Sequence, residues 1–308
     1  MYFDPPRIVR TVLAAAACCL WLGVCYAQEL TPRAYWPAPK GTKVAVFGYS
    51  RSSGDVLFDP STPLYGVDSR VNAGVAAVLQ TLSLWGRTTN VVVELPYTWG
   101  TTEGLVGETP ASSYFSGFAD IRATLAVNLL GAPSMTPSEF QELRADPRHM
   151  LGASLKVVAP TGKHDSSRLI NAGSNRWAAR AELGYIYPVK PRWLLEFDLG
   201  VWFYSDDDDF LPGKLEQEPV FAGRLHVVRR FKRPGFWASL DLTHFTGGRH
   251  IVGGDQLEDT QRNSKIGATV VVPFRGRHAI KVGYSRGVVT EFGEDFRQLL
   301  LSYSLVFR

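Results

Sequence analysis

Apolar and polar residues alternate with a period of two along most of this 308-residue chain. In residues 193–204, every odd position from Trp193 to Phe203 is apolar, whereas Glu196 and Asp198 lie between them. Successive side chains of a β-strand point to opposite faces, so this alternation predicts a strand with one apolar and one polar face. The same pattern recurs at residues 119–129, 151–159, 177–187, 236–243 and 297–307.

Segments of this kind predict about twelve strands. The predicted fold class is all-β: a closed antiparallel up-and-down transmembrane β-barrel, whose even strand number places both termini on one side. The approximate strand spans are 42–51, 68–86, 89–100, 115–130, 149–160, 174–188, 191–205, 217–231, 235–246, 261–273, 277–289 and 296–307.

Short and long connections alternate between the predicted strands. Tight turns are predicted at residues 86–88, 188–191, 232–235 and 273–276, and longer loops at 52–67, 101–114, 161–173, 206–216, 247–260 and 290–295. Transmembrane barrels sort their connections in this way, because periplasmic turns are short and outward loops are long. One connection departs from the rule: residues 131–148 occupy the place of a short turn, and they predict a short periplasmic helix near 137–144.

The first 27 residues have the features of a secretory signal peptide. Arg7 and Arg10 precede an apolar run that ends at the small residue Ala27. This run is too short for a stable membrane-spanning helix. Lipidation at Cys25 is the alternative, although the residues before Cys25 match a lipidation signal poorly.

Removal of that signal would leave a single barrel domain, residues 28–308. It would also exclude several kinds of chemistry from that domain. All three cysteines lie in the signal, which excludes disulfides, thiolate zinc sites and iron–sulfur clusters. The signal also holds two arginines and one aspartate, so the net charge falls from +4 to +3, too little to predict nucleic-acid binding. No run of about 18 apolar residues follows, which excludes membrane helices. The mean hydropathy of −0.05 fits a lipid face that alternates with a polar lumen.

The polar face of the predicted strands gives the candidate functional residues. If the apolar faces contact lipid, charged residues of both signs line the lumen and create a transverse field that selects solutes. Alternatively, the same charges pair with one another and close the lumen, since a 12-strand barrel is intermediate in bore. The candidates are Glu94, Arg122, Lys156, Arg180, Glu182, Glu196, Asp198, Arg224, His226, Arg230, Asp241 and Lys281.

Other candidate chemistry is weaker. Residues Asp206, Asp207, Asp208 and Asp209 form an outward loop that is either a solvated acidic loop or a weak divalent-cation site. The six histidines show no metalloprotease spacing, and the chain has neither a nucleophile elbow nor a phosphate-binding loop. The nearest serine–histidine pair, Ser239 and His244, lies five residues apart on one strand, so the two side chains point to opposite faces. We therefore expect no catalytic residues, no cofactor and no enzyme activity.

Several stretches resemble a known family over roughly residues 40 to 308. They resemble the transporter-like outer-membrane family labelled putative MetA-pathway of phenol degradation, most specifically from Pro160 to Trp177. The resemblance implies a barrel and a transport role linked to the degradation of aromatic compounds, without naming a substrate or site residues. The stretches are LPYTWGTTEGLVGE (95–108), NLLGAPSMTPSEF (128–140), LKVVAPTGKHDSSRLINAGSNRW (155–177), DDDDF (206–210), the Gln217-x-Pro219 step and GFWASLDLTHFTGG (235–248).

These features together predict an outer-membrane channel or transporter for small solutes, including aromatic or hydrophobic compounds, by passive diffusion through a charge-lined lumen. The expected partners are outer-membrane lipid, the solute and the outer-membrane assembly machinery, because the chain ends in an alternating strand with Phe307 next to its end. Two alternatives remain open. The first is a structural or surface-interaction barrel with a closed lumen, which predicts dense pairs such as Arg180–Glu182. The second is a soluble exported β-protein that binds a ligand.

Overall fold

The computed structural model describes residues 31–57, 64–166, 168, 170–210 and 213–307. These residues form one barrel, and the predicted signal peptide lies outside them. Twelve wall positions are occupied by β1 (Lys43–Leu57), β2 (Leu64–Leu84), β3 (Arg87–Val106), β4 (Thr109–Phe118) with β5 (Arg122–Leu130), β6 (Met150–Val158), β7 (Ala178–Lys190), β8 (Trp193–Tyr204), β10 (Val220–Arg230), β11 (Trp237–Gly247), β14 (Gln261–Phe274), β15 (His278–Val289) and β16 (Gly293–Phe307). The short strands β9 (Leu215–Gln217), β12 (His250–Val252) and β13 (Asp255–Gln256) form a separate small sheet.

The barrel closes because its first and last strands pair. β1 and β16 are antiparallel from Lys43 opposite Phe307 to Leu57 opposite Gly293, and β1 also pairs with β2. β2 pairs with β3, β5 pairs with β3 and β6, and the wall strands from β6 to β15 each pair with the wall strands before and after them, whereas β4 pairs with β3 alone among the described residues. The wall thus closes on itself through β1 and β16, which confirms the predicted twelve-strand antiparallel barrel.

The two faces of the wall have opposite chemistry. Large apolar side chains are exposed on the outer face; Leu199 is 70% exposed and Leu240 is 67% exposed. Charged and polar side chains on the inner face are instead buried, as at Arg224 and His226. A soluble protein buries its apolar face, so this inverted arrangement identifies the outer face as the one that contacts lipid.

Two details of the wall differ from the sequence prediction. Residues 101–114 were predicted as a long loop, but β3 and β4 extend through most of them and turn at Gly107 and Glu108. Gly107 has a φ of 62°, a left-handed conformation that suits glycine in a tight hairpin. The predicted strand 115–130 is also interrupted at residues 119–121, which separate β4 from β5.

The predicted periplasmic helix is confirmed as α1 (Pro137–Ala145). Thr136 caps it: its side chain accepts from the Glu139 N–H, and the Glu139 carboxylate accepts from the Thr136 N–H at 2.7 Å. Leu143 is buried against Met135 and Met150 in a cluster at the periplasmic end of the barrel. Among the described residues, no helix is both long and apolar enough to cross a membrane.

Candidate channel lumen

The structure places all twelve predicted lumen residues on the inner face of the wall. Ten of them are buried, and Glu94 and Lys281 are half-buried between outward-facing apolar neighbours. The alternation of β-strands alone explains this placement, because successive side chains point to opposite faces and most of these residues lie between two apolar residues that face lipid. The position of the side chains therefore follows from the sequence, whereas their pairing does not.

The centre of the lumen holds a continuous ionic network across β7, β8, β10 and β11. Arg224 Nη2 lies 2.7 Å from Glu182 Oε2, and Arg224 Nη1 lies 3.9 Å from Asp198 Oδ2. His226 lies between two carboxylates, with Nε2 3.4 Å from Asp198 Oδ2 and Nδ1 2.7 Å from Asp241 Oδ1. Arg224 and His226 thus alternate with carboxylates, so each of these buried carboxylates has a basic side chain beside it.

Further pairs extend the network along the wall. Lys156 Nζ lies 3.3 Å from Glu94 Oε2, and Arg180 Nε lies 3.4 Å from Glu182 Oε2. Arg122 and Glu94 are directly opposite one another on β5 and β3. The Arg180–Glu182 pair is the one that the closed-lumen alternative predicts, so the network shows that many inner charges have partners on the wall itself.

A chain segment that precedes β1 lies inside the lumen. We call residues 31–42 the luminal segment. The Arg33 N–H donates to Glu196 Oε2 at 2.7 Å, and the Tyr35 hydroxyl donates to Glu182 Oε1 at 3.1 Å. Arg224 donates from Nη1 to the Thr31 hydroxyl at 3.0 Å. The segment thus binds the same carboxylates and arginine that form the central network, and it occupies the space that a solute would cross.

The wall contains a cavity that fits Tyr35. Tyr35 is 3% exposed, and its ring packs against the inner-facing glycines Gly152 and Gly184. A Cβ atom at either glycine would overlap the ring. Its hydroxyl also lies 2.9 Å from Ser154 Oγ. Two glycines at equivalent inner positions of β6 and β7 therefore leave room for one large side chain of the luminal segment.

The luminal segment and α1 meet at the periplasmic end of the lumen. The Arg33 and Arg230 guanidinium groups lie over the Trp36 ring at 4.0 and 4.8 Å from its centroid. Arg230 also donates to the backbone carbonyls of Arg144 and Pro191. The Lys40 N–H donates to the Met135 carbonyl at 2.9 Å, which joins the segment to the loop before α1.

At the outer end, the described residues between β6 and β7 (159–166, 168 and 170–177), which we call the inward loop, contact the inner face of the wall. Ile170 is buried in a cluster with inner-facing residues of β1, β2, β4 and β16, among them Phe115 and Phe296. Asp120, at the break between β4 and β5, is fully buried and accepts from Gly162 N, Ser174 N and Ser174 Oγ at 2.9, 2.7 and 2.6 Å. The break in the strand therefore supplies the carboxylate that holds the inward loop in place.

The acidic loop has local partners. Lys214 Nζ lies 2.6 Å from Asp206 Oδ2, and the Asp206 and Glu216 carboxylates raise the pKa of Lys214 above its usual value. Asp207 is buried and accepts from Asn175 Nδ2 at 2.8 Å. Within the part of the chain that the structure describes, no three His, Cys, Asp or Glu side chains are grouped as metal ligands. Ser239 and His244 lie on opposite faces of β11, the former buried and the latter exposed.

Comparison with known proteins decides the family. The sequence profile of the family described as "Putative MetA-pathway of phenol degradation" matches residues 51–297. The chain belongs to this family. The stretch Pro160–Trp177, where the sequence resembles the family most specifically, lies in the inward loop. The closed barrel with its lipid-facing outer surface places the protein in the outer membrane. No curated protein matches the chain.

Solved structures share the architecture. The COG4313 outer membrane channel from Pseudomonas putida F1 has a TM-score of 0.74 and 21% sequence identity, covering 91% of this chain and 100% of that one. At this identity the likeness establishes the barrel fold. The toluene transporter TodX of Pseudomonas putida has a TM-score of 0.43 and 11% identity, covering 87% of this chain and 89% of that one. The latter similarity is too distant to bear on the function of this chain.

The sequence prediction missed the luminal segment and the inward folding of the loop after β6. Residues 31–42 show no strand periodicity, and their partners Glu182, Glu196 and Arg224 are remote in sequence. The available signal was local: Arg33, Tyr35 and Trp36 are large side chains placed directly between the predicted signal and the first strand. Such residues bind the wall only once the barrel has brought its inner charges together.

Proposed function

We propose that this protein is an outer-membrane channel that passes small solutes by diffusion through its polar lumen when the luminal segment is displaced. The observation that carries the proposal is the way residues 31–36 are held. Their contacts with the wall include side-chain bonds to Glu182, Glu196 and Arg224, and this stretch forms no β-ladder with the wall. Its release would leave the twelve wall strands paired.

Displacement of the segment would expose an inner surface suited to polar and charged groups. Release of Arg33 and Tyr35 removes one partner each from Glu196 and Glu182, and withdrawal of the Tyr35 ring uncovers Gly152 and Gly184. Carboxylates, arginines and a glycine-lined recess would then alternate around the path. We propose that the path takes small solutes with an aromatic or apolar body and one polar group, in keeping with the description of the family.

A second candidate function is a structural barrel with a permanently closed lumen. The dense pairing of Arg180, Glu182 and Arg224 supports it, because these groups satisfy one another without a solute. The two candidates differ in one respect: the closed barrel remains impermeable after the luminal segment has been removed, whereas a channel becomes permeable.

Solute flux into proteoliposomes distinguishes the two. The chain from residue 28 onwards is refolded into liposomes, and swelling is followed with arabinose and with benzoate, a small aromatic acid. We expect uptake of both solutes, and faster uptake after removal of residues 31–36. If neither chain supports flux above that of empty liposomes, although both are folded, the lumen is closed and the channel proposal is wrong.

A further inference from the structure

We propose that arginines on the outer face of β2, β15 and β16 form a binding site for the phosphate groups of the phosphorylated glycolipid in the outer leaflet. Arg70, Arg286 and Arg297 line one groove of about 420 Å³ at the outward end of these strands. This volume lies within the range of about 300–1,000 Å³ that is typical of small-ligand sites. The luminal segment and the inner charges take no part in this groove.

The groove lies at the depth where lipid headgroups are found. Register places Arg70, Ser53 and Arg297 side by side on β2, β1 and β16. Two residues nearer the membrane, the corresponding row contains Trp99, Asn72, Arg51 and Leu299, so one further exposed arginine lies beside the aromatic side chains. Rows of one face are separated by about 7 Å, because a strand rises about 3.4 Å per residue.

Aromatic side chains mark the row below as the membrane interface. Trp99 lies 6.2 Å from the Tyr49 ring, and Tyr284 on β15 is opposite Leu299. Leu301, opposite Tyr49, and Val282 follow on the membrane side and are exposed to it. Belts of Trp and Tyr occupy the headgroup level of transmembrane barrels, so the arginine row one step further out meets the phosphates.

Two of the three guanidinium groups are available for a ligand. In the described part of the chain, Arg286 and Arg297 form no ion pair, whereas Arg70 Nε lies 3.4 Å from Asp68 Oδ1. Both free arginines are exposed on the outer face. A guanidinium presents paired N–H donors that match two oxygens of one phosphate, and two such groups at one groove can hold it from both sides.

The carboxylates of the groove do not form ion pairs with Arg286 or Arg297 in the described part of the chain. Asp68 is engaged by Arg70, and Asp295 accepts from the Thr290 hydroxyl at 3.3 Å. Asp55 belongs to the same row as Asp68 and Asp295, one step further from the membrane than Arg297. The positive and negative side chains of the groove thus lie at different depths. The arginine row lies next to the aromatic belt, and the acidic row lies further from the membrane than the arginine row.

Native mass spectrometry of the detergent-released barrel tests the site with bis-phosphorylated lipid A as the probe. The double variant Arg286→Gln with Arg297→Gln is compared with Arg233→Gln, which removes one exposed positive charge at the opposite, periplasmic turn. We expect lipid A to bind at least tenfold more weakly to the double variant, and the Arg233→Gln variant to bind as the natural sequence does. Heat-dependent mobility on gels verifies that each variant is folded.

Two further binding measurements identify the ligand. Lipid A from which both phosphates have been removed is expected to lose at least tenfold in affinity for the natural sequence, and inorganic phosphate alone is expected to bind far more weakly than lipid A. Equal affinity of the folded double variant, or of the dephosphorylated lipid, would overturn the proposal. Binding of inorganic phosphate as tight as that of lipid A would overturn its assignment to a lipid.

Discussion

At the scale of single residues, the inner face of the barrel is a set of buried charges that depend on one another. A buried ion pair contributes little net stability, because desolvation offsets most of the attraction, but loss of one partner leaves the other buried and unpaired. His226 is the sharpest case, since it is fully buried between Asp198 and Asp241. Its loss affects two carboxylates at once.

Replacement of His226 should therefore destabilise the folded barrel. His226→Leu keeps a side chain of moderate size and leaves Asp198 and Asp241 without their histidine partner, so we expect a loss of about 3–5 kcal/mol in the free energy of unfolding, typical of a broken buried pair. Urea titration in lipid vesicles measures it. His244→Leu is the control, because His244 is exposed and contacts Ser264; a similar loss in both variants would contradict this explanation.

The glycine recess gives a test of the luminal segment that leaves the charges intact. Gly152→Ala places a methyl group where the Tyr35 ring lies, so we expect it to displace the ring and increase solute flux through the barrel. Gly74→Ala, on β2, is the matched control because nothing lies within 4 Å of its added methyl group. Unchanged flux in folded Gly152→Ala would mean that Tyr35 does not obstruct the path.

At the scale of elements, the sequence predicts strands and turns well because both are local. The period-two alternation that locates β8 and β16 depends only on neighbouring residues, and the same is true of the capped helix after Thr136. The hairpin at Gly107 was missed because a long outward loop was assumed where strands in fact continue. The luminal segment and the inward loop could not be predicted, since their partners, such as Asp120 for Ser174, are set by the closed barrel.

The cap of α1 is expected to respond to pH. The Thr136 backbone N–H and hydroxyl lower the pKa of Glu139 below its ordinary value of 4.5. A carboxyl whose pKa is lower in the folded state stabilises at pH values above its unfolded pKa, and this contribution disappears as the pH falls through the folded value. The protection of the first α1 amides, relative to their intrinsic exchange rate at each pH, should therefore fall below about pH 4.5. In Glu139→Gln, exchange should be faster at neutral pH and show no such step; an unaltered step would assign it to another group.

At the scale of the whole molecule, the inverted distribution of polarity defines the environment of the protein. Exposed apolar side chains surround the barrel between two polar ends, and the inner face buries its charges. Such a surface is stable only in lipid, and the family membership accords with that location.

The lipid face predicts a depth-dependent response to charge. Leu199 lies in the middle of β8 and is 70% exposed, so Leu199→Lys should destabilise the barrel in vesicles by about 2–4 kcal/mol. Val106→Lys, at the outer tip of the β3–β4 hairpin, should change stability by about 0–1 kcal/mol. Equal effects at the two positions would contradict the assignment of the lipid-facing band.

In the proposed channel, the luminal segment obstructs the path through the barrel. Conductance across planar lipid bilayers tests it most directly, with the chain from residue 28 onwards compared with the same chain lacking residues 31–36. We expect low or intermittent conductance for the chain that keeps residues 31–36 and a larger, steady conductance for the chain that lacks them. Equal conductance of the two folded barrels, or none in either, would contradict it.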